Sequence, residues 1–581
     1  MKYACIDSIE RDGEMVSWIR DEAGLTLEKT PAEKFYYCFV PDNTGNTKYQ
    51  DLFGTPMKKL NFESRWDLKN HVASESYTCE SDIATRYKIL TDLYNNASES
   101  TPFHFCLYDI EVDFDLEDGL GYPKPDNPHG NINLIQAWDT YNKHYTIFAL
   151  DEIKDDVNED NIKDEEYDVK FVWCHNERDL LLAFSDFLEP IDIFTAWFGS
   201  GFDLPYVMAR AEKLFNKKKA LTLLSRDGYS SSSQEKTNDF GEEYTHWQTT
   251  GRKHIDMQAV YKKFIPKQRQ SFKLDAICEE DLGEGKIQYE DEGDLGKLYR
   301  SNPEKFVLYG LRDVQLMVWL DRKHNLMQTA FALAVSSGVY VDDICGSVKP
   351  IEQAFVHYCR ENGNIVLPDK VDKDKQKFPG AIVYHTIAGR HGWSMSADLG
   401  ALYPSTMVML GLSPETKVAQ LTHNFDDYVK VMENRDENVE LIEFAQGKPI
   451  DQYEIKASDL KSVIRSEGYT ISANGTLFDG RLGVLSAYVK EGIDKRNEAK
   501  KKTFAAFQAG NMEEHDVYDL LQKVLKIRNN SVYGCVSNEF FRLFDVELAA
   551  SITVTGRMIS KFQAVRANKK MNELEEELNA A

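Results

Sequence analysis

The chain has 581 residues, of which 42% are hydrophobic, 12% aromatic and 28% charged, with a net charge of −26. That length exceeds what one core can organise and predicts about three to five domains of ordinary globular composition. A charge this negative excludes a nonspecific nucleic-acid coat protein, so any nucleic acid must be met by local basic faces and metal ions.

Nine cysteines are scattered without a CxxC pair, which indicates neither a zinc site nor a disulfide framework and suits a reducing cytosol. The first residues, MKYACIDSIERDGE, are charged almost at once, and no run reaches membrane-spanning length. Short β-like runs alternate with helical ones along the chain, which predicts mixed α/β domains.

The first informative element is FHFCLYDIEVDF, Phe103 to Phe114. Its alternation predicts a strand with Phe105, Leu107, Asp109 and Glu111 on one face. Two neighbouring carboxylates on an apolar strand are unfavourable unless a cation lies between them or the strand runs into solvent. Asp151 to Asp168 follows, with ten carboxylates in eighteen residues, and reads as a solvated loop on a hairpin or sheet rim. FTAWFGSGFDLPYVMAR, Phe194 to Arg210, predicts an apolar strand, a glycine turn and a helix opening near Asp203, with Pro205 in its first turn. Ser225 to about Lys253 reads as an extended hairpin or mobile loop. YGLRDVQLMVWL, Tyr309 to Leu320, is helical, with Tyr309 and Asp313 on one face. Taken singly, an acid at a helix start is usually a cap and a Tyr–Asp spacing is common.

In order, DIE, FD and YxxxD resemble the Exo I, Exo II and Exo III motifs of DnaQ-type proofreading exonucleases. The resemblance implies that Asp109, Glu111, Asp203 and Asp313 hold two Mg²⁺ (or Mn²⁺) ions, with Tyr309 orienting the attacking water. The chain departs from that pattern at Phe198, where the family usually has Asn, so one hydrogen bond near the scissile phosphate is in doubt.

Further along, FPGAIV (Phe378 to Val383) resembles the short YxG-type link between exonuclease and polymerase, with Phe for Tyr. WSMSADLGALYPSTMVML, Trp393 to Leu410, predicts a strand carrying Ser394, Ser396 and Asp398, then a turn at Pro404 into a helix that Ser405 could cap. IDKRNEAKKK sets Arg496 and Lys500 one helical turn apart, and such a basic face is usually just solvated. DLLQKVLKIRNNSVYGCV, Asp519 to Val536, sets Lys523, Lys526, Asn530 and Tyr533 on one stripe and Leu520, Val524 and Ile527 on an apolar one.

The first and last of these segments resemble motif A (DxxSLYPS, with Ala401 for Ser) and motif B (KxxxNSxYG) of family B DNA polymerases of the T-even-like phages. The resemblance implies that Asp398 binds two catalytic metals assisted by the Leu399 carbonyl, and that Tyr403 stacks beneath the incoming sugar. It further implies that Arg496, Lys500 and Lys526 clamp a triphosphate, with Asn530 and Tyr533 beside the nascent base pair. No DTD acid pair of motif C occurs from Gly534 to Ala581. FDVEL, Phe544 to Leu548, reads as a short strand, followed by a long palm helix that becomes strongly charged.

The implied fold class is multidomain α/β. It comprises an N-terminal domain (1–102 with about 340–380), an RNase H-like 3′→5′ exonuclease (103–339), a first part of an α+β palm (381–480), helical fingers (481–538) and a palm helix (539–581). The implied function is one subunit of a split replicative DNA polymerase that proofreads. Its expected partners are primer–template DNA, dNTPs, a second chain carrying motif C, thumb and clamp-binding tail, and indirectly a sliding clamp. It would act in the cytoplasm of an infected bacterial host. A truncated form of an undivided polymerase also fits, but a break between elements, after a charged helix end, favours the natural split. The alternatives are a self-sufficient exonuclease whose polymerase remnant only binds primer–template, and an RNA-binding translational regulator. For the last, no RNP-like aromatic motif stands out in residues 1–100.

Overall fold

A computed structural model describes residues 3–94, 103–115, 119–237, 243–289, 291, 293–371, 377–383, 388–390 and 398–580. The chain forms two compact units, one of residues 1–32 with 85–345 and one of 33–84 with 346–581. These units are coarser than the five domains expected from the sequence, and they divide residues 1–102 between them.

The first unit is built on a six-stranded sheet. Its strands are β1 (Phe105–Val112), β2 (Ile132–Asp139), β3 (His144–Leu150), β4 (Asp168–Cys174), β5 (Ile193–Ala196) and β6 (Lys253–Asp256), in the spatial order β4-β3-β2-β1-β5-β6. β1 runs antiparallel to β2 and parallel to β5, which is parallel to β6. Central strands must be apolar on both faces, and every residue of β2 is buried, as is all of β1 except the half-buried Asp109. The alternation expected of Phe103–Phe114 therefore marks a face, with no solvent side opposite.

β3 and β4 are parallel, so the acidic stretch between them is a crossover along the sheet rim and no hairpin. It folds into two short 3₁₀ turns, Asp151–Asp156 and Glu159–Asn161. Ser232–Thr237 and Glu243–Gln248 form the expected hairpin. Helix α1 (Asp203–Leu214) follows the turn after β5. Helix α2 (Pro303–His324) has Pro303 in its first turn, where no N–H is needed, and the Asn302 side chain accepts from the Lys305 N–H as its N-cap.

α2 carries Gly310 where it crosses the sheet. A Cβ there would stand 1.9 Å from Gln136 Nε2, so any side chain at 310 would have to displace the Gln136 amide.

The second unit holds a five-stranded antiparallel sheet, ordered Lys448–Lys456, Asn438–Ala445, Lys417–Leu421, Thr476–Phe478, Thr470–Ile471. Four helices flank it in sequence: α3 (Leu402–Leu410), α4 (Val484–Gln508), α5 (Met512–Val536) and α6 (Val546–Ala580). Their shared core includes Leu410, Tyr488, Val532, Phe544 and Ile552. α4 and α5 form an antiparallel hairpin turning at Ala509–Asn511, and Gly492 lets them touch, since a Cβ there would lie 2.1 Å from Asn529 Oδ1.

Three local expectations are corrected. α3 starts at Leu402 with Ala401 left-handed at φ 54°, so Ser405 lies inside the helix, and its N–H donates to the Ala401 carbonyl instead of its side chain capping. Pro404 sits in the first turn, where a proline does not stop a helix, so the helix begins earlier. FDVEL is not a strand. Lys417 pairs with Asp545 and Glu547, and those acids open α6. On α5 the buried stripe runs through Val524, Leu525, Asn529 and Val532, and Leu520 and Ile527 are only half-buried. The expected strand bearing Ser394 and Ser396 lies outside the described residues.

Candidate active sites

In the first unit, β1 and α2 bring three of the predicted acids together. One carboxylate oxygen from each of Asp109, Glu111 and Asp313 lies within 4.8 Å of the other two. Asp313 and Glu111 are buried and Asp109 is half-buried. Asp203 is buried at the first residue of α1 and is not one of that trio, yet its charge is among those that Asp109 feels most. Burial pushes the Asp203 carboxyl up to about 7, although its own N–H and that of Ile110 hold it down. Burial, then the Asp313 charge, pushes Glu111 up to about 8. Burial and then the charges of Asp203 and Glu111 raise Asp109 well above its usual range. Without a cation, several of these groups keep their protons near neutral pH.

A lysine that the sequence reading missed stands among them. Lys286 forms an ion pair with Asp313, and its Nζ donates to the Tyr309 hydroxyl at 3.1 Å. Burial works against its charge, but Asp313, Tyr309 and Asp109 outweigh burial and hold it protonated. It lies in the irregular stretch between helix Leu274–Leu282 and Leu295, anchored where its backbone N–H donates to Asp275 Oδ1 at 2.7 Å. A lone lysine within the acidic run EEDLGEGKIQYEDEGD has no periodicity to announce it.

The donor set fits hard divalent cations, which take oxygen ligands. Asp313 gives one oxygen to Lys286, while its other oxygen, Oδ1, is buried with no hydrogen-bond partner among the described residues. Gln136 is equally orphaned. It pairs across the ladder with Asp109, and among the described residues neither its amide oxygen nor its nitrogen has a partner. An unpaired acceptor between like charges is costly unless something cationic meets it.

The turn from β5 to α1 is tightly held. The Phe198 carbonyl accepts from the N–H groups of Gly201 and Phe202 at 2.9 and 3.1 Å, and the Ser200 N–H donates to Asp256 at 3.2 Å. Beneath it lies His254, whose imidazole burial pushes down to about 3.

In the second unit, Asp398 and Leu399 are exposed. Tyr403 packs between Tyr533, at 4.6 Å between ring centroids, and Gly556, where a Cβ would come within 3.0 Å of its ring. Lys500, Lys526 and Asn530 are exposed, while Arg496 is half-buried and loses basicity through that burial. On the same two helices Lys490, Lys495, Lys502 and Lys523 each pair with an acid one turn away. Among the described residues Arg496, Lys500 and Lys526 make no such pair, and none of them pairs with Asp398. The helices thus bring Tyr403 and Tyr533 into contact but do not by themselves join Asp398 to the cations.

Two family models match the chain. "DNA polymerase family B, exonuclease domain" covers residues 56–277, and "DNA polymerase family B" covers 345–581, together well over half the chain. Among curated proteins, the DNA-directed DNA polymerase of Escherichia phage RB69 is 26% identical and that of Enterobacteria phage T4 is 23% identical. Each alignment covers 91% of this chain and 62% of the relative, so the chain spans less than two thirds of their length. The DNA polymerase delta catalytic subunit of Candida albicans is 25% identical over 66% of this chain and 34% of its own length.

Proposed function

Because the chain belongs to family B of the DNA polymerases, with an exonuclease and a polymerase domain, we propose that its first unit trims the 3′ end of DNA at Asp109, Glu111, Asp203 and Asp313. The buried trio of carboxylates with an unpaired oxygen on Asp313 carries this reading. Two divalent cations, when bound by these acids, supply Lewis-acid activation of water and charge stabilisation at the leaving 3′-oxygen. The chain's own groups do the rest. Tyr309 accepts a hydrogen bond from Lys286, and its own O–H is the donor that would orient the attacking water. Lys286 supplies a positive charge beside the scissile phosphate. Exonuclease activity on a 5′-labelled single strand, lost in EDTA and restored by Mg²⁺ or Mn²⁺, tests the proposal; undiminished cleavage in EDTA would refute it.

The second unit, in this reading, holds the nucleotide half of a template-directed polymerase site. Asp398 with the Leu399 carbonyl serves as a metal-binding element, Tyr403 as the platform beneath the sugar, and Arg496, Lys500 and Lys526 as the triphosphate clamp. Asn530 and Tyr533 flank the base pair. It is supported by the three cations having no acid partner among the described residues, a state they share with Lys501 and Arg528, which leaves their charge available to an anion. The functional subdivisions expected from the sequence remain part of the proposal.

Synthesis needs acids on both sides of the nucleotide, and the expected source of the others is a second polypeptide with motif C and thumb, engaging a clamp. The setting is the cytoplasm of an infected bacterium, as the phage relatives suggest. Among the described residues no helix is long and apolar enough to cross a membrane. The completeness of the acid set in the first unit favours, as a second reading, an exonuclease that works alone. Nothing in the described residues supports an RNA-binding regulator.

A further inference from the structure

Phe198 holds a backbone conformation that bulky residues avoid. Its φ is +62°, in the left-handed region that Gly and Asn tolerate, yet its ring is 53% exposed. Burial of the ring is therefore not what compensates the strain. The turn is fixed by the hydrogen bonds to the Phe198 carbonyl and from Ser200 to Asp256, and the Trp197 indole N–H donates to the Phe272 carbonyl at 2.9 Å. Strain that the surroundings enforce, with an apolar ring left open, points to a use for the ring.

The position of the turn narrows that use. β5 runs parallel to β1 with Thr195 opposite Leu107, so the chain leaves β5 beside the stretch of β1 that carries Asp109 and Glu111. Five residues after Phe198 comes Asp203. The distal edge of the Phe198 ring lies over Gly201, where a Cβ would come within 2.3 Å of it; any larger residue at 201 would displace the ring. A second exposed ring, Tyr122, is 51% accessible and packs at 5.9 Å from Phe202, the residue before Asp203. Partial burial and then the charges of Glu111, Asp109 and Asp203 act on its phenol. Tyr122 thus borders the acid cluster, and Phe198 stands on the turn that leads into Asp203.

We propose that Phe198 is a stacking platform for an unpaired nucleobase of the strand being trimmed, held over Gly201 at the mouth of the exonuclease site. Aromatic rings bind bases of any sequence through their π faces, which suits a site that must accept every 3′ end. The contact is to the π face of a base, so it binds the strand without reading it. It rests on the exonuclease reading, and its test is arranged to fail separately.

Kinetics on a single-stranded oligonucleotide and binding of a fluorescein-labelled oligo(dT) in EDTA, where nothing is cleaved, are measured for wild type, Phe198→Leu, Phe198→Asn, Phe198→Tyr and Phe198→Trp. Asn suits the left-handed backbone, so Phe198→Asn removes the ring while keeping or raising the Tm. The expected result is a KM and a Kd raised about 10–100-fold in Leu, the range one stacked base supplies, while Asn, which offers a polar contact of its own, serves to report the backbone strain through its Tm. kcat should stay within about 3-fold, and Tyr and Trp should restore both constants. Wild-type KM and Kd in the Leu variant would overturn the proposal, as would a loss confined to kcat. A wild type that binds oligo(dT) through Phe198 but never cleaves it would refute the exonuclease reading and leave the platform standing.

Discussion

Lys286 pairs with Asp313 while its Nζ lies 3.1 Å from the Tyr309 hydroxyl, so one ammonium joins the acid and the tyrosine that share a face of α2. A neutral side chain of similar length, Lys286→Met, removes the charge and keeps the stem. We expect kcat for single-strand degradation to fall about 10²-fold, the loss typical of one charge-stabilising donor. KM should change little. Single-turnover rates at saturating Mg²⁺ check this, and a wild-type rate would reduce Lys286 to a counter-ion of the metal-free protein.

Asp109→Ala with Glu111→Ala should abolish degradation of single-stranded DNA and leave the first unit folded. The two carboxylates stand in a cluster of like charges, so the metal-free double variant should melt at or above the wild-type temperature. Residual cleavage near the wild-type rate in the double variant, with Mg²⁺ present, would remove the metal-site assignment.

The raised carboxyls make a pH prediction whose sign is fixed. Glu111 at about 8 and Asp203 at about 7 hold protons in the folded protein that the unfolded chain releases near pH 4. Below about pH 4 both states are protonated and nothing is lost. As pH rises from about 4 to 8 the unfolded state sheds these protons first, and metal-free stability falls until the folded groups also ionise. In a chelating buffer, the Tm of wild type minus that of the Asp109→Ala/Glu111→Ala variant should therefore drop from pH 5 to pH 8. Adding Mg²⁺ should raise the wild-type Tm more at pH 8 than at pH 5. A difference that rises with pH would contradict the shifts.

What the sequence made legible follows from range. Asp109 and Glu111 sit on a short alternating strand, and Tyr309 and Asp313 on one helical face, so local periodicity located them. Lys286 reaches Asp313 across an irregular stretch, and Gln136 meets Asp109 through cross-strand register; neither relation has a local signature. Ser405 misled because Ala401 takes the left-handed position and lets the helix begin before Pro404. FDVEL looked strand-like, but the ion pairs of Lys417 with Asp545 and Glu547 place it at a helix start. Asn529 interrupts the apolar spacing of α5 because its partner is Gly492, and a glycine contact of that kind is invisible to hydrophobic periodicity.

Lys526 gives the last prediction, running from helix surface to rate. α4 and α5 are antiparallel neighbours; Lys490, Lys495, Lys502 and Lys523 are tied to acids one turn away, and among the described residues Arg496, Lys500 and Lys526, like Lys501 and Arg528, are not. A contact made equally with bound nucleotide and with the transition state would alter KM alone. A cation that meets charge building on a leaving pyrophosphate must lower kcat as well when removed. In a polymerising assembly that includes a motif C and a thumb, Lys526→Ala should lower kcat/KM for nucleotide incorporation about 10²–10³-fold. Lys523→Ala, one turn earlier and already paired with Asp519 at 2.7 Å, should change it less than about 3-fold. Exonuclease rates on single strands should be the same in both variants, because those acids belong to the other unit. Incorporation rates by rapid quench decide the matter, and equal, near-normal rates for the two alanine variants would mean that Lys526 is part of a solvated face with no triphosphate to hold.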